Sequence, residues 1–138
     1  MEELKQRFES TQQAHSTLAE SVELFFDPNC NNLHDQLRDS VIKRFEYSLD
    51  TFWKYLRVLL EEKYKIMFDG VISPRSIFRA GLNAGIIKDE EFSVCLSMVG
   101  DRNLTSHTYN EELAESISKR IKIYHEVMCA ILARDKCL

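Results

Sequence analysis

Residues 33–64 read LHDQLRDSVIKRFEYSLDTFWKYLRVLLEEKY, and the reading of this stretch decides the fold class. Leu33, Leu37, Val41, Phe45, Leu49, Phe52, Leu56 and Leu59 recur at intervals of three and four, the spacing that places side chains on one face of an α-helix. Neither glycine nor proline interrupts the run, so one helix ending near Tyr64 is expected, with Asn31 or Asn32 as its cap. At 1.5 Å per residue it would be about 50 Å long. That makes it the longest element and the spine of the molecule.

Working outward, Leu4, Phe8, Leu18, Val22 and Phe25 define an amphipathic first helix from Glu2 to about Phe26, ended by Asp27-Pro28-Asn29. On the other side, Phe68 to Ile72 with Gly70 is a turn. Ser73 as N-cap and Pro74 at the first helical position then start a third helix, which Gly85 stops. Asp89-Glu90-Glu91 places acids in the first turn of a fourth helix carrying Phe92, Leu96 and Met98 or Val99. Leu113, Ile117, Ile121, Tyr124, Met128 and Ile131 form the stripe of a fifth. Nowhere does period-two alternation persist for six residues, which excludes a β-rich chain. The expected fold is all-α: an up-and-down antiparallel bundle of about five helices, formed as a single domain over residues 1–138.

Composition narrows the functional classes. The chain has 138 residues, 44% of them hydrophobic and 29% charged, with a net charge of -4. These are the proportions of a soluble globular domain. An acidic balance excludes holding nucleic acid by bulk electrostatics, so any RNA contact must be local. Cys30, Cys95, Cys129 and Cys137 include no C-x-x-C pair, and His15, His34, His107 and His125 lack zinc-finger spacing. No metal site and no cofactor are therefore expected. Reduced thiols fit a cytoplasmic protein. Residues 1–20 lack an apolar signal core, and no apolar run has the length of a membrane span.

Polar chemistry is concentrated in residues 101–109, Asp-Arg-Asn-Leu-Thr-Ser-His-Thr-Tyr. On a continuous helix Arg102 and His107 would sit about 140° apart, so sharing one pocket requires the helix to end between them. Asn103, Thr105 and Ser106 favour such an ending by competing for backbone hydrogen bonds. Thr108 with Glu111 fits a capping box, and Asn110 is a second candidate N-cap. A phosphate would be favoured at that helix start, where an arginine can fork onto its oxygens.

Arg102, four residues, His107, one residue and Tyr109 resemble the Arg-x4-His-x-Tyr motif of the HEPN superfamily, and residues 102–109 look like its nucleotidyltransferase substrate-binding branch. Arg38-Asp39-Ser40-Val41-Ile42-Lys43-Arg44-Phe45-Glu46, Trp53-Lys54, Ser73-Pro74-Arg75 and Arg79 are similar to that branch in type and order. The resemblance covers roughly Leu33 to Tyr124. It implies a homodimer in which two motifs face each other and a separately encoded minimal nucleotidyltransferase as partner, the two genes forming a toxin–antitoxin pair.

Two functions follow from the resemblance. One is a metal-independent endoribonuclease, with His107 transferring protons at the ribose 2′-hydroxyl and leaving oxygen and Arg102 stabilising the phosphorane. Asn103 and Asp101 are supporting residues, and AMP addition to Tyr109 would silence the enzyme. The other is a non-catalytic nucleotide- or substrate-binding subunit of the nucleotidyltransferase. Bland readings stand beside these. Tyr109 fits a partly buried aromatic, Trp53 and the phenylalanines of the long helix fit the core, and Arg75 with Arg79 fits a surface pair. Lys119, Arg120 and Lys122 fit a solvated face. Solvated charge is the default for Arg44 and Glu46, with a contact from Glu46 to Arg102 the minority reading.

Overall fold

The apolar stripe of residues 33–64 becomes α2 (His34–Glu62), the longest element of the computed structural model at 29 residues. Val41, Phe45, Phe52 and Leu59 on its stripe are buried, each contributing about 1.5–3 kcal/mol of hydrophobic stabilisation. The structure describes residues 2–107 and 110–134. The side chains of Asn31, Ser106 and His107 lie outside the described residues, as do Thr108 and Tyr109 entirely. The other helices are α1 (Glu2–Phe25), α3 (Pro74–Ala84), α4 (Asp89–His107) and α5 (Glu111–Arg134), with a 3-10 turn at Pro28–Leu33. No strand occurs among the described residues, so the bundle is all-α.

Hydrogen-bond registers give the directions. Thr11 reaches the Thr51 carbonyl, Ser48 the Ala14 carbonyl and Arg44 the Thr17 carbonyl. Positions ascend along α1 as they descend along α2, so the two helices are antiparallel. Arg38 meets Glu115 while Phe45 stacks on Tyr124, which makes α2 and α5 parallel. Asp101 meets Arg120 while Glu91 meets Arg134, which makes α4 and α5 antiparallel. The four long helices α1, α2, α4 and α5 thus alternate in direction. The 11-residue α3 lies in the connection between α2 and α4. Its ends follow the sequence expectation, with Ser73 as N-cap and Gly85 closing the helix at φ 86°; the structure adds a reciprocal capping box between Ser73 and Ser76.

Two local expectations are corrected. Leu33, not Asn31 or Asn32, occupies the N-cap of α2, without a side-chain cap. The 3-10 turn leads straight into the helix and takes the place of a cap. More consequentially, the fourth helix does not end between Arg102 and His107, because α4 continues through His107. The Thr105 hydroxyl lies 2.6 Å from Glu46 Oε2 and 3.0 Å from the Arg102 carbonyl, so it is engaged elsewhere than with a backbone N–H. The next helix starts on Asn110, whose Oδ1 accepts from the Leu113 N–H at 3.0 Å.

Candidate functional site

Arg102 projects from α4 onto α2, where Glu46 and Asp50 stand one turn apart. Its two terminal nitrogens each meet a different carboxylate, Glu46 Oε2 at 3.3 Å and Asp50 Oδ2 at 3.3 Å. Glu46 is itself held by the Thr105 hydroxyl. The Arg102 side chain remains 28% exposed and that of Glu46 only 14%. The contact between Glu46 and Arg102 that sequence reasoning ranked second is therefore present, and Asp50 joins it. Asp50 left a signal in the sequence. Two like charges at i and i+4 on a helix repel, so Glu46 and Asp50 ask for a shared cation.

The electrostatics limit what this group does alone. One guanidinium between two carboxylates leaves a formal charge of -1, so an incoming phosphate meets a neutralised arginine. Both ion pairs are longer than the 2.7–2.9 Å of strong charge-assisted bonds. They brace the arginine rather than bury it.

The neighbouring residue faces another way. Asp101 is 8% exposed and pairs with α5. Its oxygens accept from Arg120 Nε and a terminal nitrogen, both at 2.9 Å, and from the Tyr124 hydroxyl. Burial, and then the Asp101 carboxylate, pushes the Tyr124 phenol up to about 12. The hydrogen bond to Asp101 raises the Arg120 guanidinium above its ordinary value. Arg120, expected on a solvated face, is thus half of a bidentate clamp between α4 and α5. Asn103 is exposed to solvent.

On the continuous α4 the backbone position of His107 lies about 140° around the helix from that of Arg102. The side chain of His107 and the whole of Tyr109 fall outside the described residues.

A second arginine that sequence reasoning quoted without a role supports the far end of α2. Arg38 is 1% exposed, and its guanidinium meets Asp39 at 3.1 Å, Glu115 at 3.0 Å, Asp35 at 3.3 Å and Glu111 at 3.5 Å. Burial alone would lower its pKa, but Glu115 and the two aspartates outweigh that and hold it above its ordinary value. This cluster joins the start of α2 to the start of α5. It gives Glu111 of the acidic first turn of α5 a cation, and Glu111 and Glu112 would oppose a phosphate there.

The fold and the braced arginine define a helical-bundle protein without a membrane-crossing helix among its described residues. The chain belongs to the family described as nucleotidyltransferase substrate binding protein like, whose sequence model matches residues 6–136. A crystal structure of a protein from Thermus thermophilus is similar at 39% sequence identity and a TM-score of 0.72, covering 88% of this chain and 97% of that one. Comparison with curated proteins gives no match.

Proposed function

We propose that the chain is the partner of a separately encoded minimal nucleotidyltransferase, that the pair forms a HEPN-type toxin–antitoxin couple, and that Tyr109 accepts AMP from that enzyme. The observation that carries this reading is the family match over residues 6–136, within which the Arg102–Tyr109 motif falls. Tyr109 lies in sequence between the end of α4 at His107 and the start of α5 at Glu111. The chemistry is transfer of the α-phosphoryl of ATP to the phenol oxygen, with pyrophosphate leaving and the phenol proton passing to solvent. Each adenylate adds negative charge to the Arg102–Tyr109 segment of the chain.

The test is incubation of the purified chain with the cognate nucleotidyltransferase and ATP, read by mass spectrometry. Mass should rise in steps of AMP, and Tyr109→Phe should abolish the rise while leaving the helical circular dichroism intact. Unchanged mass with an enzyme active on another substrate would overturn the acceptor role.

A second reading, the metal-independent endoribonuclease, is favoured by the brace itself. Two carboxylates one turn apart hold the fork of Arg102 in place while leaving its side chain partly exposed, so the guanidinium is pre-oriented and stabilises a crowded phosphorane once the phosphate displaces one of the two long ion pairs. His107 supplies the proton transfer. A single chain sets the backbone positions of Arg102 and His107 about 140° apart around α4, so this reading requires a homodimer in which Arg102 of one protomer meets His107 of its partner. His107→Ala should then reduce RNA cleavage by about 10²-fold or more. Unmodified dimer that binds the nucleotidyltransferase but cleaves no RNA would leave the chain a non-catalytic subunit.

A further inference from the structure

The α1 stripe contains a buried histidine in a groove that none of the Arg102 chemistry uses. Phe8, Thr11, His15, Leu18 and Val22 share the buried face of α1. Thr11 is satisfied by the Arg7 and Thr51 carbonyls. His15, only 5% exposed, instead faces His125 and Cys129 of α5, which stand one turn apart. Its Nδ1 lies 3.4 Å from His125 Nδ1 and 3.8 Å from Cys129 Sγ, and the same sulfur lies 3.8 Å from His125 Nδ1 and 3.7 Å from His125 Nε2. The remaining nitrogen of His15, Nε2, is buried without a hydrogen-bond partner.

We infer that His15, His125 and Cys129 form a three-ligand site for a zinc-class metal ion, with the fourth tetrahedral position open to the groove between α1 and α5. The triangle of donor atoms has the right size. With zinc–nitrogen bonds of about 2.0–2.1 Å and a zinc–sulfur bond of about 2.3 Å, tetrahedral angles separate two nitrogens by about 3.4 Å and a nitrogen from sulfur by about 3.6 Å. The three observed separations among the two Nδ1 atoms and Sγ agree within about 0.2 Å, and the Cys129 sulfur, which also touches His125 Nε2 at 3.7 Å, would turn away from that nitrogen to bind. The imidazole planes are inclined by 23° with centroids 5.5 Å apart. Two rings on one tetrahedral ion, each centroid about 3.2 Å from the metal, would stand about 5.2 Å apart. A direct nitrogen–nitrogen hydrogen bond accounts for the geometry less well, because 3.4 Å exceeds the usual range.

The surroundings fit a borderline-soft cation. Burial, followed by the neighbouring His125, lowers His15 to about 4, and burial lowers His125 as well. Both rings are therefore held in the neutral form that ligates. Burial raises the Cys129 thiol, which stays unreactive until a cation displaces its proton to solvent as the sulfur–metal bond forms. Two imidazoles and a thiolate exclude magnesium and calcium, which require oxygen ligands. The groove has a volume of about 370 Å3 and is walled by Phe8 and Leu132, with Gln12 and Ser16 also lining it. A water or a small donor group has room at the open position. Sequence spacing argued against zinc because it looks for ligands close together along the chain. Here His125 and Cys129 form an H-x3-C pair, and the third ligand arrives from a helix 110 residues away.

The full-length, metal-stripped chain titrated with cobalt(II) chloride tests the site. One equivalent should bind with an intense tetrahedral ligand-field spectrum and a thiolate-to-cobalt charge-transfer band, and zinc chloride should displace it. Cys129→Ser should lose the charge-transfer band, and His125→Ala should weaken cobalt affinity by more than about 100-fold, the most that loss of an outer-shell partner costs. Both side chains are half-buried, so these variants keep the test usable should His15→Ala fail to fold, and circular dichroism verifies that they do. Absence of saturable binding, a charge-transfer band that persists in Cys129→Ser, or unchanged affinity in His125→Ala would each overturn the proposal.

Discussion

Asp101→Asn removes a charge from the interface between α4 and α5 while nearly preserving shape. Tyr124 is 3% exposed, and its hydroxyl loses a charged acceptor, which costs about 1.5–3 kcal/mol. The Arg120 side chain is 42% exposed, so solvent screens its pair and limits that loss to about 1 kcal/mol or less. The asparagine amide oxygen still accepts one bond and restores about 1 kcal/mol. The expected destabilisation is about 2 kcal/mol. In urea unfolding, with a slope of about 2 kcal/mol/M, the midpoint should fall by about 1 M without a change in slope. Tyr124→Phe should cost about 1 kcal/mol, and the double variant less than the sum of the two, because both act on one hydrogen bond. Asn103→Ala, at an exposed position on the same helix, should stay within about 0.5 kcal/mol of the parent. A loss below about 0.5 kcal/mol for Asp101→Asn would refute the assignment of Asp101 as the clamp that holds the C-terminal half of α4 in place.

On the endoribonuclease reading, Arg102→Lys keeps the charge but cannot span Glu46 and Asp50 with a planar fork, so RNA cleavage should fall nearly as far as in Arg102→Ala; full retention would reduce the brace to a charge effect. EDTA should leave that cleavage unchanged even where it strips the site at His15, His125 and Cys129. Sedimentation should give a dimer at micromolar concentration, and a monomer would remove the basis for two facing motifs. Hydrogen bonding to Arg134, outweighing burial, holds the Glu91 carboxyl below its ordinary value. Because the folded-state value is depressed, this stability is present above the unfolded value of about 4.3 and is lost as pH falls through the folded value. Glu91→Gln should be less stable than the parent at neutral pH and should lose less stability below about pH 4, as read by urea unfolding across pH. Parallel curves for the two proteins would refute the pairing.

The sequence by itself determined the helices. Period, caps and breakers are local properties, so α2, the Ser73 cap, the Gly85 stop and the acidic start of α4 could be read from the residues that form them. The Arg102–Tyr109 motif was legible for the same reason, since its members lie within eight consecutive positions. Local reading went wrong where a side chain had a distant partner. Thr105 was expected to help end α4, but Glu46, 59 residues away, engages its hydroxyl and the helix continues. Arg120 was placed on a solvated face until Asp101 supplied its carboxylate. Only the tertiary structure decided which polar residues face one another. It brought Arg102 between Glu46 and Asp50, gathered four carboxylates around Arg38, and set His15 against His125 and Cys129. Those pairings depend on the register between helices, which interdigitating apolar side chains fix over the whole length of the bundle and which no single stretch of the chain encodes.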